Sequence, residues 1–78
     1  MGQTLGQRLR ALRKERNLTL EQVGRAAVLS TSFVNDLEHD RARPRLDTLV
    51  RLGTALDVSP ISILRGIAPY DTDPAPSG

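Results

Sequence analysis

Four hydroxyl side chains, Thr4, Thr19, Ser30 and Ser59, stand just ahead of short apolar runs and divide the chain into segments of small-helix length. Thr4 and Thr19 are followed three residues later by Gln7 and Gln22. That is capping-box spacing, in which hydroxyl and amide side chains satisfy each other's backbone N–H groups at a helix start. Ser30 is an N-cap by residue type, and Ser59-Pro60 pairs a cap with a proline at the first helical position. Behind these caps the apolar residues recur at steps of three and four, the period of a helix with one buried face. Helix one carries Leu5, Leu9 and Leu12 and is interrupted at Asn17-Leu18. Helix two carries Leu20, Val23 and Ala27, and helix three Phe33, Val34 and Leu37. After a polar break from His39 to Pro44, helix four offers Leu46, Leu49, Val50, Leu52 and Leu56, and helix five Ile61, Ile63, Leu64 and Ile67. No segment alternates apolar and polar residues with β-branched enrichment. The expected fold is all-α, five helices around one small aliphatic core.

With 78 residues, one compact domain is the ceiling, since a chain of this size buries only about 60% of its unfolded surface. The expected division is a domain over 1–67 and a disordered tail over 68–78. The tail reads APYDTDPAPSG, Pro-rich and without periodicity, too poor in apolar surface to offset the entropy of ordering. The absence of cysteine removes disulfides, thiolate metal sites and thiol catalysis. One histidine, no Gly-rich phosphate loop and no paired carboxylates on a common face leave an enzyme almost without support, and no cofactor, metal or small-molecule substrate is expected. Apolar runs are far shorter than the roughly 20 residues of a membrane span, and Met1-Gly2-Gln3-Thr4 opens no secretory signal. The expected setting is cytoplasmic, away from membranes.

Charge is the first hint of a partner. Eleven Lys+Arg against nine Asp+Glu give +2; without Asp71 and Asp73 in the tail the balance over 1–67 is eleven against seven, or +4. Ten of the eleven basic residues are arginine, the side chain whose planar fork suits phosphate and base edges. This charge permits a DNA partner without naming one. Helix three is more informative. At about 100 degrees per residue, Phe33, Val34, Leu37 and Glu38 share one half, and Thr31, Ser32, Asn35 and Asp36 the other. An ordinary solvated face carries Lys, Glu and Arg, whereas short donors and acceptors suit close approach to base edges in a major groove. By itself this face still fits an exposed, locally capped helix better than a reader.

The segment Leu18–Pro44, LTLEQVGRAAVLSTSFVNDLEHDRARP, tilts that balance. It resembles the DNA-binding domain of the lambda-repressor-like, Cro-type (XRE) helix-turn-helix family, and the resemblance extends over about residues 5 to 66. Leu18-Thr19 with Glu21-Gln22, Ser30 through Glu38, the loop ending at Pro44, and Leu56-Asp57-Val58-Ser59 followed by Ile63-Leu64 carry it. The resemblance implies that helix three is the recognition helix, with Thr31, Ser32, Asn35 and Asp36 at base-reading positions, the same four that the projection turns outward. It implies that Thr19 holds a phosphate at the start of helix two. It also implies that Arg13 and Glu38 form an internal ion pair between helices one and three. Arg41, Arg43 and Arg45 are the candidate phosphate clamps, with contact expected from at least one but not from all three, the alternative being a solubilising loop with arginines paired to Asp40 or Asp47. Arg8, Arg10, Lys14 and Arg16 are expected to be mostly solvated.

Four departures from the family pattern stand out. Val28 occupies the turn position usually given to glycine, so the turn is either reshaped or strained. Leu20 replaces a glutamine that supports base reading. Gly24 replaces alanine, which suggests close helix packing. Asp36 turns a negative charge toward DNA, where it can accept from cytosine or pair with an arginine. The expected function is a sequence-specific double-stranded DNA-binding transcription regulator, a dimeric repressor or autoregulator on a pseudo-palindromic operator. Ile61, Ile63, Leu64 and Ile67 are the expected dimer surface. The alternative is an antitoxin or protein-interaction module whose tail binds a protein partner.

Overall fold

In the computed structural model, which describes residues 3–65 and 67, five α-helices follow one another: α1 Leu5–Glu15, α2 Leu20–Ala27, α3 Thr31–Glu38, α4 Leu46–Leu56 and α5 Pro60–Leu64. The fold is all-α, as expected. Both capping boxes are formed: Thr4 and Thr19 accept from the amides of Gln7 and Gln22, whose side chains accept from the amides of Thr4 and Thr19. Ser30 and Ser59 cap α3 and α5 through the amides of Phe33 and Ser62. The tail expected over 68–78 lies outside the described residues. No helix among the described residues is long and apolar enough to cross a membrane.

The core is aliphatic: Leu9, Leu12, Val23, Ala27, Val34, Leu37, Leu49, Leu52, Leu56, Ile63 and Ile67 are buried. α2 packs on α3 and α4, α1 on α3 and α5, and α4 on α5. Burial of each large aliphatic chain contributes about 1.5–3 kcal/mol. Two expectations from periodicity are corrected here. Ile63 and Ile67 are 0% and 1% exposed, so they belong to the core and cannot form a dimer surface. α5 rests on both α1 and α4, which turns Ile63 inward; Leu64 is half-buried against the core, and Ile61 is 52% exposed. On α4, Leu46 and Val50 are exposed rather than part of the buried stripe.

α1 to α4 end in the same way. Asn17, Val28, Asp40 and Asp57 take left-handed φ of 54, 59, 58 and 58 degrees. The next amide then returns to a carbonyl five residues back: Leu18 to Arg13 at 3.2 Å, Leu29 to Gly24 at 2.7 Å, Arg41 to Asp36 at 2.8 Å and Val58 to Gly53 at 2.9 Å. This is the closure that satisfies carbonyls at a helix end. Asn and Asp tolerate it well, whereas a β-branched residue does not. The turn before α3 is therefore strained, not reshaped. Gly24 serves this closure too. A Cβ there would stand 2.7 Å from Leu29 O, so the close approach is to its own turn rather than to a neighbouring helix as expected.

α1 is tied to the rest of the domain by polar contacts between distant residues. Arg13 Nε and Nη2 donate to the Glu38 carboxylate at 2.6 and 3.0 Å, and Nη1 donates to Leu18 O at 2.9 Å. The Asp40 carboxylate accepts from Thr4 Oγ1 at 2.6 Å and Gly6 N at 2.9 Å, which puts negative charge at the positive end of α1. Gly6 permits this closeness, since a Cβ would lie 2.6 Å from Leu37 O. Arg8, expected to be solvated, donates to Ser62 O at 2.8 and 3.3 Å and joins α1 to α5.

Candidate nucleic-acid interface

α2 and α3 meet through the two-residue turn Val28-Leu29 and the Ser30 cap. Leu29 packs against the core while Val28 is 78% exposed. Val34, Leu37 and Glu38 anchor the inner half of α3. On its other half Thr31 and Ser32 are exposed and Asn35 and Asp36 half-buried, so the four expected base-reading residues share one surface. Phe33 lies between the halves, packed against the core. His39 closes the helix, its Nδ1 2.9 Å from Asn35 O.

Two further groups belong to the expected interface. At the start of α2, the capping box commits the amides of Thr19 and Gln22. The Thr19 hydroxyl accepts from Gln22 N at 3.0 Å, which leaves its own proton to donate. After α3 runs the loop from Asp40 to Arg45. Its burial alternates: Arg41, Arg43 and Arg45 are exposed, Ala42 and Pro44 half-buried, and Ala42 packs against the core. Anchoring every second residue turns all three arginines outward. They do not behave alike, however. Arg41 is folded back on α3, with Nη1 3.3 Å from Asp36 Oδ1. Arg45 occupies the N-cap of α4 without bonding it. Asp40 grips α1, and Asp47 faces Arg51 at 3.9 Å.

A family model described as a helix-turn-helix domain matches residues 4–62. The chain belongs to this family. The domain is of the lambda-repressor-like, Cro type. The immunity repressor protein of Bacillus phage phi105 is 44% identical to it over 61 residues, a segment that is 78% of this chain and 42% of the repressor. The chain thus spans less than half the length of that relative. Among solved structures, the restriction-modification controller protein C.AhdI from Aeromonas hydrophila superposes with a TM-score of 0.74 at 34% identity, covering 76% of this chain and 89% of the controller. The P22 c2 repressor in complex with a synthetic operator superposes with a TM-score of 0.76 at 30% identity, covering 82% and 97%.

Within this helix-turn-helix domain, Asp40 and Arg8 are the residues that sequence reasoning missed. Their partners lie 34 to 54 residues away, and no local spacing marks them. Leu20, in place of the family's glutamine, is half-buried and packs against the core, so α2 gains packing where relatives of the common pattern carry a polar group.

Proposed function

We propose that this domain reads double-stranded DNA sequence-specifically and regulates transcription, as a repressor or autoregulator that binds a pseudo-palindromic site as a dimer. The observation that carries this reading is the surface of short polar side chains on α3, in a domain whose next loop turns a row of arginines outward. α3 then enters the major groove, where Thr31, Ser32 and Asn35 meet base edges. The Thr19 hydroxyl and the first amides of α2 hold one phosphate, and Arg43 and Arg45 hold others. The likeness to a repressor solved with its operator supports the same orientation. A single domain of this size contacts a short half-site, so dimerisation is what gives useful discrimination. The surface available for it is Ile61 with the edge of Leu64, beside an open groove lined by Val50, Val58 and Pro60.

Comparing Asn35→Ala with Arg43→Ala on a selected duplex and on a scrambled one tests the division of labour. Asn35→Ala should lose about 5- to 150-fold on the selected duplex only, the usual worth of a forked base contact. Arg43→Ala should weaken both duplexes and lower the salt slope by about 0.9 for each phosphate released. Equal losses on every duplex for both variants would refute the assignment of α3.

A further inference from the structure

Asp36 is the acidic member of the outward surface of α3, and a carboxylate turned toward a phosphate-lined groove is repelled unless something neutralises it. Arg41 neutralises it, with Nη1 3.3 Å from Asp36 Oδ1. The placement of Arg41 is built into the backbone. Its N–H donates to the carbonyl of Asp36 itself at 2.8 Å. The residue before it, Asp40, is left-handed and is held to the start of α1 through Thr4 and Gly6. Residue 41 therefore stands on a fixed stalk at the end of α3, with its guanidinium laid against the surface that carries Asn35 and Asp36. Arg43 and Arg45 lie farther along the loop.

We propose that Arg41 reads a guanine, with Asp36 as its positioning residue. This rests on the reading of α3 as the major-groove helix. The guanidinium has five N–H donors. A contact to Asp36 leaves the others for N7 and O6, the forked pattern that guanine alone presents in the major groove. A lysine keeps the charge but not the fork. The carboxylate cancels the charge of the arginine, so the pair adds sequence preference with little counterion release. This moves Arg41 out of the row of phosphate clamps in which the sequence placed it.

Arg41 is 61% and Asp36 41% solvent-accessible, and neither belongs to the core, so substitution leaves the fold intact. The test compares sequences selected from random duplex DNA by the wild-type chain, by Arg41→Lys and by the doubly substituted Asp36→Ala/Arg41→Ala, which conserves net charge. The wild-type motif should contain a guanine that both variants cease to select, with every other preferred base retained. On the wild-type motif the double variant should bind about 5- to 150-fold more weakly, with affinity for random duplex and salt slope unchanged. The proposal is overturned if the guanine survives in either variant, or if the loss is the same on all sequences and the salt slope falls. A wild-type chain that enriches no sequence would instead refute the major-groove reading on which the proposal stands.

Discussion

Val28 shows what one residue contributes when its local preference and its place in the fold disagree. Its φ of 59 degrees is a conformation that β-branched side chains avoid, at a cost of about 1–2 kcal/mol. Being 78% exposed, it recovers little by burial. Val28→Gly removes the strain and adds back about 0.5–1 kcal/mol of chain entropy. The expected net is a gain of several tenths of a kcal/mol to about 1 kcal/mol, a rise in Tm of a few degrees for a domain this small. A thermal melt in which Val28→Gly unfolds earlier than the parent would show that the valine makes contacts that outweigh its backbone strain. Asn17 and Asp57, left-handed as well, have side chains suited to that conformation, so the same substitution there should gain less.

Among the elements, helix starts were legible in the sequence and helix orientations were not. A cap is a local contract: Thr19 and Gln22 are three residues apart, so spacing alone identifies the bond. The halves of α3 were legible for the same reason, since eight residues of one helix fix which side chains share a side. The direction in which α5 faces depends on α1 and α4, and the five residues of that helix carry too little periodicity to show that Ile63 points inward. The Asp40 staple was hidden because its chemistry is completed only when α1 and α3 meet. Asp40→Ala should cost about 1–3 kcal/mol, the usual penalty for leaving a part-buried donor, here the Gly6 amide, without its charged acceptor. It should also speed hydrogen exchange at the Gly6 amide before it affects α4. Uniform acceleration across all helices would mean that Asp40 supports the whole fold rather than the α1–α3 junction. Because that junction also carries Arg41, the same variant should blur the guanine preference without abolishing DNA binding.

For the whole molecule, the decisive question is whether two copies act together. The described residues expose Ile61 on α5 and Val50 on α4 near the groove edged by Val58 and Pro60, and nothing in the core depends on Ile61. Ile61→Asp, at the second position of a helix where a carboxylate is tolerated, should therefore leave the melting temperature nearly unchanged. In sedimentation it should shift the chain toward monomer, and it should weaken binding to an inverted repeat far more than to a single half-site. An unaltered sedimentation profile would move the dimer contact elsewhere.

The measurement to make first is selection of bound sequences from random duplex DNA by the unaltered chain, with affinity for the winners measured at two salt concentrations. Recovery of an inverted repeat with half-sites about one helical turn apart, bound more tightly than random duplex at both salt concentrations, is the predicted result. No enrichment, with weak binding that disappears as salt rises, would contradict it and leave the arginines of the loop as a surface for some other acidic partner.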